Sequence, residues 1–242
     1  MYTQNGFAGM FNDASAYNQS LNCWDTSRVA TMKDLFERAE AFDQDISAWD
    51  TSRVTDMKCL FHDASAFDQN INAWDTSKVT DMDSAFSTGN KNNERFVSKS
   101  FNKPLGDWDT SRVTYIEGMF QYNHYFNQDI GKWDTSLVVD GSYCFDYALS
   151  FNADIGRWDT AKFTGTSMDT MFEIAIAFNQ DVSKWDTAQV TSCNSMFQGA
   201  TAFNQDLSEW DTSKLTSCSD FATDSACETI TCGAEFESCS PS

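Results

Sequence analysis

Apolar residues recur along this chain in two alternating patterns. In residues 42–66, Val54, Met57, Leu60, Phe61 and Ala64 follow one another at steps of three, three, one and three, the spacing of one face of an amphipathic helix. Asp50, Thr51 and Ser52 precede them, and these residue types start helices. Ile46 stands instead between polar Asp45 and Ser47, as in a brief strand with one buried side chain. The position before each tryptophan holds Cys23, Ala48, Ala73, Asp107, Lys132, Arg157, Lys184 or Glu209. Charges there cannot enter a core, so the strand must be short.

The unit repeats. Trp24, Trp49, Trp74, Trp108, Trp133, Trp158, Trp185 and Trp210 each begin Trp-Asp-Thr, most of them 25 residues apart. Such a period means stacked units, none of which buries its own apolar face alone. Stacking turns columns into ladders. One is Leu21, Ile46, Ile71, Leu105, Ile130, Ile155, Val182 and Leu207; two more are phenylalanine ladders through Phe42 and Phe61. An Asn/Asp ladder (Asn18, Asp43, Asp68, Asn102, Asn127, Asn152, Asn179, Asn204) predicts amide stacking that satisfies backbone groups at a turn.

The predicted fold is an α/β solenoid: a leucine-rich-repeat-like, right-handed stack of short parallel strands and short helices. It forms a single repeat domain over 1–242, with a partial N-terminal turn (1–16), eight Trp-bearing turns (17–221) and a Cys-rich C-terminal cap (222–242). Gln4, Phe7, Met10 and Phe11 match the middle of a unit, so a longer precursor or a trimmed chain is expected.

The units resemble the BspA-like surface proteins in their 25-residue variant of the leucine-rich repeat. Residues 178–197 carry the motif almost letter for letter: Phe-Asn-Gln-Asp-Val-Ser-Lys-Trp-Asp-Thr-Ala-Gln-Val-Thr-Ser-Cys-Asn-Ser-Met-Phe. The resemblance covers about residues 7–221 and implies a secreted or cell-surface protein without catalytic residues. The chain departs from the motif at Gly141, where Met is expected, and in the insertion at 87–100.

Charge and chemistry narrow the function. A net charge of −20 argues against nucleic acid, which needs Lys/Arg neutralisation, and against an anionic membrane surface. No apolar stretch is long enough to span a bilayer, so no membrane insertion is expected. Only His62 and His124 occur, in different turns, and nucleotide-loop, nucleophile-elbow and zincin motifs are missing; no enzyme is expected. Eight cysteines indicate an oxidising compartment, extracellular or at the cell surface. Cys193 and Cys218 share a repeat position in adjacent turns and are expected to bridge. The cysteine tail, Cys227, Cys232 and Cys239, is expected to staple a cap, with a zinc site from Cys218, Cys227, Cys232 and Cys239 as the alternative.

Two surfaces are candidates for contact. Asp45, Asp129, Asp154, Asp181 and Asp206 precede the buried aliphatic residue and form an acidic strip on the strand face, beside a column of small residues. Lys91, Arg95 and Lys99 gather in the insertion. The Trp-Asp-Thr aspartates are read as helix caps rather than calcium ligands, because an Asp cap contributes about 1 kcal/mol. No cofactor is assigned, with Ca2+ as the one considered. The Trp-Asp-Thr threonines raise an ice-binding alternative, which helix starts explain equally well. The expected function is a non-catalytic surface or secreted adhesion module that binds a cell-surface protein or glycan through the strand face and insertion loop. The alternatives are copies assembling into a matrix or filament, and an acidic cation- or mineral-binding scaffold.

Overall fold

The computed structural model describes residues 6–89 and 101–227. Successive repeats lie on one another in parallel register. Isolated bridges join Thr31 to Asp56, Asp56 to Asp81, Asp81 to Tyr115 and Tyr115 to Asp140, and later Gly165 to Val190 and Ser192 to Ser217. Each repeat is one coil, named below by its tryptophan.

The expected helices and strands are not there. Among the described residues the chain holds no helix and only these single-residue bridges, so the α/β solenoid of strands and helices is wrong. The bridges also fall in the half expected to be helical, not beside Ile46. The Trp49 coil shows the reason. Leu60 N–H donates to Met57 C=O at 3.1 Å, His62 to Cys59 at 3.2 Å and Ala64 to Phe61 at 3.0 Å, each closing a four-residue turn. The intervening amides point out of the coil. Met57, Cys59, Phe61 and Asp63 donate to Asp81, Asp83, Ala85 and Ser87 of the next coil at 2.8–2.9 Å. A helix would turn every amide inward along its own axis; here every second one holds the neighbour.

That alternation demands an unusual backbone. Cys59 and Asp63 have φ of 52° and 58°, and their counterparts Asp34 and Arg38, Tyr143 and Tyr147, and Thr170 and Ile174 are also positive. Turns of this kind require φ > 0 at their third residue, which costs an L-residue roughly 1–2 kcal/mol. Glycine takes the same positions at Gly118 and Gly199. Turns closed between i and i+3 place every third side chain inward, which is why the sequence imitates a helix.

The core is built from the ladders. Val54, Met57, Leu60, Phe67 and Ile71 are at most 1% exposed, and burying each stabilises by roughly 1.5–3 kcal/mol. Within a coil Phe61 and Phe67 stack at 3.9 Å; between coils Phe36 and Phe61 stack at 5.6 Å, and Trp49 and Trp74 at 6.4 Å. Each indole N–H from Trp74 to Trp210 donates to the carbonyl of the preceding coil's ladder aliphatic, as Trp74 does to Ile46 at 3.1 Å. The Asn/Asp ladder works as the sequence indicates: Asp43 N–H donates to Asn18 Oδ1 at 3.0 Å, and the same bond repeats up to Asn204 on Asn179 at 2.9 Å.

Departures from the repeat are compensated by the coil above or below. A side chain at Gly141 would meet the Phe163 ring at 3.0 Å, and Phe163 stands where other coils carry Val54 or Val79. The larger ring in one coil fills the space of the missing methionine in the other. Asn123 replaces an alanine of the column Ala39, Ala64 and Ala148. Its buried amide donates to Phe101 C=O at 3.2 Å and Phe86 C=O at 3.5 Å, joining the two sides of the insertion.

Two substitutions separate turns from a helix. Thr170→Asn should raise the unfolding free energy by about 0.5–1 kcal/mol, because Asn tolerates positive φ, and Gly118→Val should lower it by about 1–2 kcal/mol. Urea unfolding reads both; the opposite pair of signs would fit a helix.

Candidate binding surfaces

The five aspartates of the anticipated strip are all exposed, but no strand carries them. Each carboxylate accepts the amide two residues on: Asp45 from Ser47 at 2.9 Å, Asp129 from Gly131 and Asp154 from Gly156 at 3.0 Å, Asp181 from Ser183 and Asp206 from Ser208 at 2.9 Å. They are turn caps. Bonds from the Ser47 hydroxyl and amide lower the Asp45 pKa, and the amide and hydroxyl of Ser183 and Ser208 do the same for Asp181 and Asp206. The small column beside them has an equally local cause. A Cβ on Gly131 or Gly156 would lie 2.3 Å from the carbonyl of Asp154 or Asp181 in the next coil.

The Trp-Asp-Thr triplet is structural throughout, though not as a helix start. Its aspartates cap a turn by accepting the amide at i+2, as Asp75 does from Ser77 at 3.0 Å. The serine hydroxyl and amide lower the pKa of Asp25, Asp50, Asp75, Asp109, Asp134 and Asp211. The threonines from Thr51 to Thr187 are buried, and each hydroxyl donates to the next coil's Asp carbonyl at 3.0 Å. Buried hydroxyls cannot order surface water, which removes the ice-binding alternative.

The cysteines are also placed differently. Cys193 is a free thiol, so the Cys193–Cys218 bridge is absent. Its Sγ turns inward under the Ser217 carbonyl at 4.0 Å, and burial raises its pKa, as it does that of free Cys144. Burial also pushes the Cys59 thiol up to about 11. Thiols held this far from ionisation are poor nucleophiles. Cys232 and Cys239 lie outside the described residues, as do Lys91, Arg95 and Lys99 of the insertion.

A third surface, not singled out from the sequence, lies on the bridged side. Five of the seven tyrosines fall between Tyr115 and Tyr147, and this crowding was its only advance signal. Tyr115 pairs with Asp140 across a parallel bridge. Tyr122 and Tyr147 stack at 4.8 Å between the same two coils. Tyr115 and Tyr143 are 46% and 39% exposed, whereas among the described residues the phenylalanines from Phe36 onward are buried. Segments 115–122, 140–147 and 165–174 contain no Lys, Arg or His but carry Glu117, Asp140, Asp146, Asp169 and Glu173. Cations resume two coils earlier, where Lys58 of the Trp49 coil pairs with Asp83 at 3.0 Å.

Three of these carboxylates, Glu117, Glu173 and Asp146, are electrostatically strained. Desolvation raises the Glu117 pKa, and the charges of Asp140 and Asp83 add to the rise. Desolvation, then Asp220, raises Glu173. Asp146, 3% exposed, accepts Gln121 Nε2 at 2.8 Å on one oxygen, while Oδ1 has no hydrogen-bond partner. Burial pushes its pKa up to about 7, against the Gln121 bond and with the help of Glu173. Among the described residues no three His, Cys, Asp or Glu side chains gather so as to hold a metal ion, and no helix is long and apolar enough to cross a membrane. The cavity lined by Met168, Val190, Cys193 and Trp210 measures about 10 Å³, at the lower limit for one water.

Asp146 makes stability depend on pH. Its folded pKa lies above the ordinary carboxylate value, so the fold favours the protonated form. That contribution is full below about pH 4 and is lost as pH rises through about 7, by on the order of 3 kcal/mol. Melting temperature should fall between pH 5 and 8, and Asp146→Asn should flatten that fall. A wild-type slope retained in the variant would assign it to other groups.

The profile of the family described as "Mycoplasma protein of unknown function, DUF285" matches residues 5–98, 95–166 and 143–228. No curated protein and no solved structure matches the chain. The three matched stretches together span nearly all of the stacked repeats, and the chain belongs to the DUF285 family.

Proposed function

We propose that this protein is a non-catalytic binding module, secreted or displayed at a cell surface, that recognises a macromolecule through the tyrosine- and carboxylate-bearing face of the Trp108 and Trp133 coils. One observation carries the reading. Nearly every repeated polar group is used to hold coil to coil, whereas this face exposes large aromatic side chains where the repeat breaks. Exposed aromatic clusters of this kind mark contact sites.

Two features support the location. The quoted motif resembles BspA-like surface proteins, whose known roles include adhesion. Eight cysteines suit an oxidising compartment, and Cys218 and Cys227 are placed to staple the C-terminal end. The carboxylates of the acidic aspartate strip cap their own turns, as Asp140 does by accepting the Ser142 amide at 3.0 Å; the tyrosine face is preferred for its exposed aromatic side chains. Protein and glycan partners are both compatible with exposed tyrosines.

The test is capture. The immobilised protein and its Tyr115→Ala/Tyr143→Ala variant are exposed to surface extract of the source organism and its surroundings. A partner retained by the native face and lost by the variant, with an unchanged melting temperature, is the expected result. Equal retention by both would overturn the reading. Sedimentation velocity across concentrations addresses the rival role: reversible polymers that form equally well in the variant would favour a matrix or filament subunit.

A further inference from the structure

We infer that the Tyr115–Tyr143 face takes a cationic polypeptide segment, rich in Arg or Lys, as its partner; this rests on the binding role proposed above and specifies its chemistry. Two observations carry the choice. First, the face is acidic: three consecutive coils carry Glu117, Asp140, Asp169 and Glu173 with no cation in the same segments, and Lys58, which acts on Glu117 from its edge, is itself paired with Asp83. Some carboxylates elsewhere on the molecule are paired, as Asp13 is with Arg38, Asp68 with Lys103 and Glu209 with Lys184.

Second, the tyrosines supply the matching recognition element. A guanidinium or ammonium group is attracted to an aromatic face, and Arg also stacks on it. Tyr115 and Tyr143 are exposed on adjacent coils, flanking Asp140. A cation seated on either ring lies close to a carboxylate that would otherwise repel its neighbours. A neutral glycan would satisfy the rings but leave the charge; an anionic partner would add to the repulsion.

The probe is an oligo-arginine peptide, with an oligo-glutamate peptide as control, titrated calorimetrically at low and high salt. Because a net charge of −20 attracts any cation, the decisive comparison is between variants of equal charge. Glu117→Gln/Asp140→Asn removes two charges from the face. Asp129→Asn/Asp154→Asn removes two from the turn caps while keeping an oxygen for the amides of Gly131 and Gly156. The expected result is salt-sensitive binding of oligo-arginine, weakened about tenfold by the first pair and by Tyr115→Ala/Tyr143→Ala, and changed less than about twofold by the second pair. Phenylalanine at both tyrosine positions should retain binding, which separates ring loss from misfolding.

No binding of oligo-arginine, or equal weakening by both charge pairs, would overturn the inference; the second outcome would mean attraction to net charge alone. A tyrosine-dependent partner captured from surface extract, with no affinity for oligo-arginine, would overturn the cationic chemistry and leave the binding role standing. Loss of both would remove both.

Discussion

Everything in this molecule depends on how the backbone amides are divided between two duties. In each coil one amide closes a four-residue turn and the next reaches across to the coil beyond, as Leu60 and Phe61 do toward Met57 and Ala85. No coil can satisfy its own amides, and none can bury its own phenylalanines. Backbone bonding and core packing therefore require the same event, the arrival of the neighbouring coil. The cost is a left-handed residue at up to two positions per repeat, borne by side chains as unsuited to it as Thr170 and Ile174. The fold accepts that cost because the alternative leaves buried amides unpaired.

The repeated polar residues follow from this constraint. Asn18 to Asn204 feed the amides of the next coil, the buried threonines feed a carbonyl, and the tryptophan N–H groups feed another. The repeated aspartates cap turns. A motif that recurs in every coil is therefore mostly committed to the stack. Function falls to what does not recur, and on the described surface the strongest exception is the tyrosine face, where carboxylates accumulate without cations.

Much of the packing was legible in the sequence. The aliphatic and phenylalanine ladders are buried as their columns indicate, and the Asn/Asp column bonds as anticipated. What the sequence concealed was the local backbone. Val54, Met57, Leu60 and Phe61 have the same spacing whether a helix or a run of i to i+3 turns puts them inside. The hint lay in the outward columns: Gly118 and Gly199 align with Asp34, Ser195, Arg38 and Asp63, a mixture rich in residues that tolerate positive φ and poor in helix formers. The expected Cys193–Cys218 bridge failed because the Cys193 thiol turns into the core beneath the Ser217 carbonyl. The tyrosine face was missed because reading by columns averages away the coils that differ.

The division of amides can be observed directly. Scalar couplings across hydrogen bonds in a labelled sample report which carbonyl each amide engages. The account predicts couplings from the amides of Met57, Cys59 and Phe61 to the carbonyls of Asp81, Asp83 and Ala85 in the next coil, alternating with couplings from Leu60 to Met57 and from His62 to Cys59. Couplings from each amide to the carbonyl four residues before it, through Val54 to Ala64, would mean a helix and contradict the account.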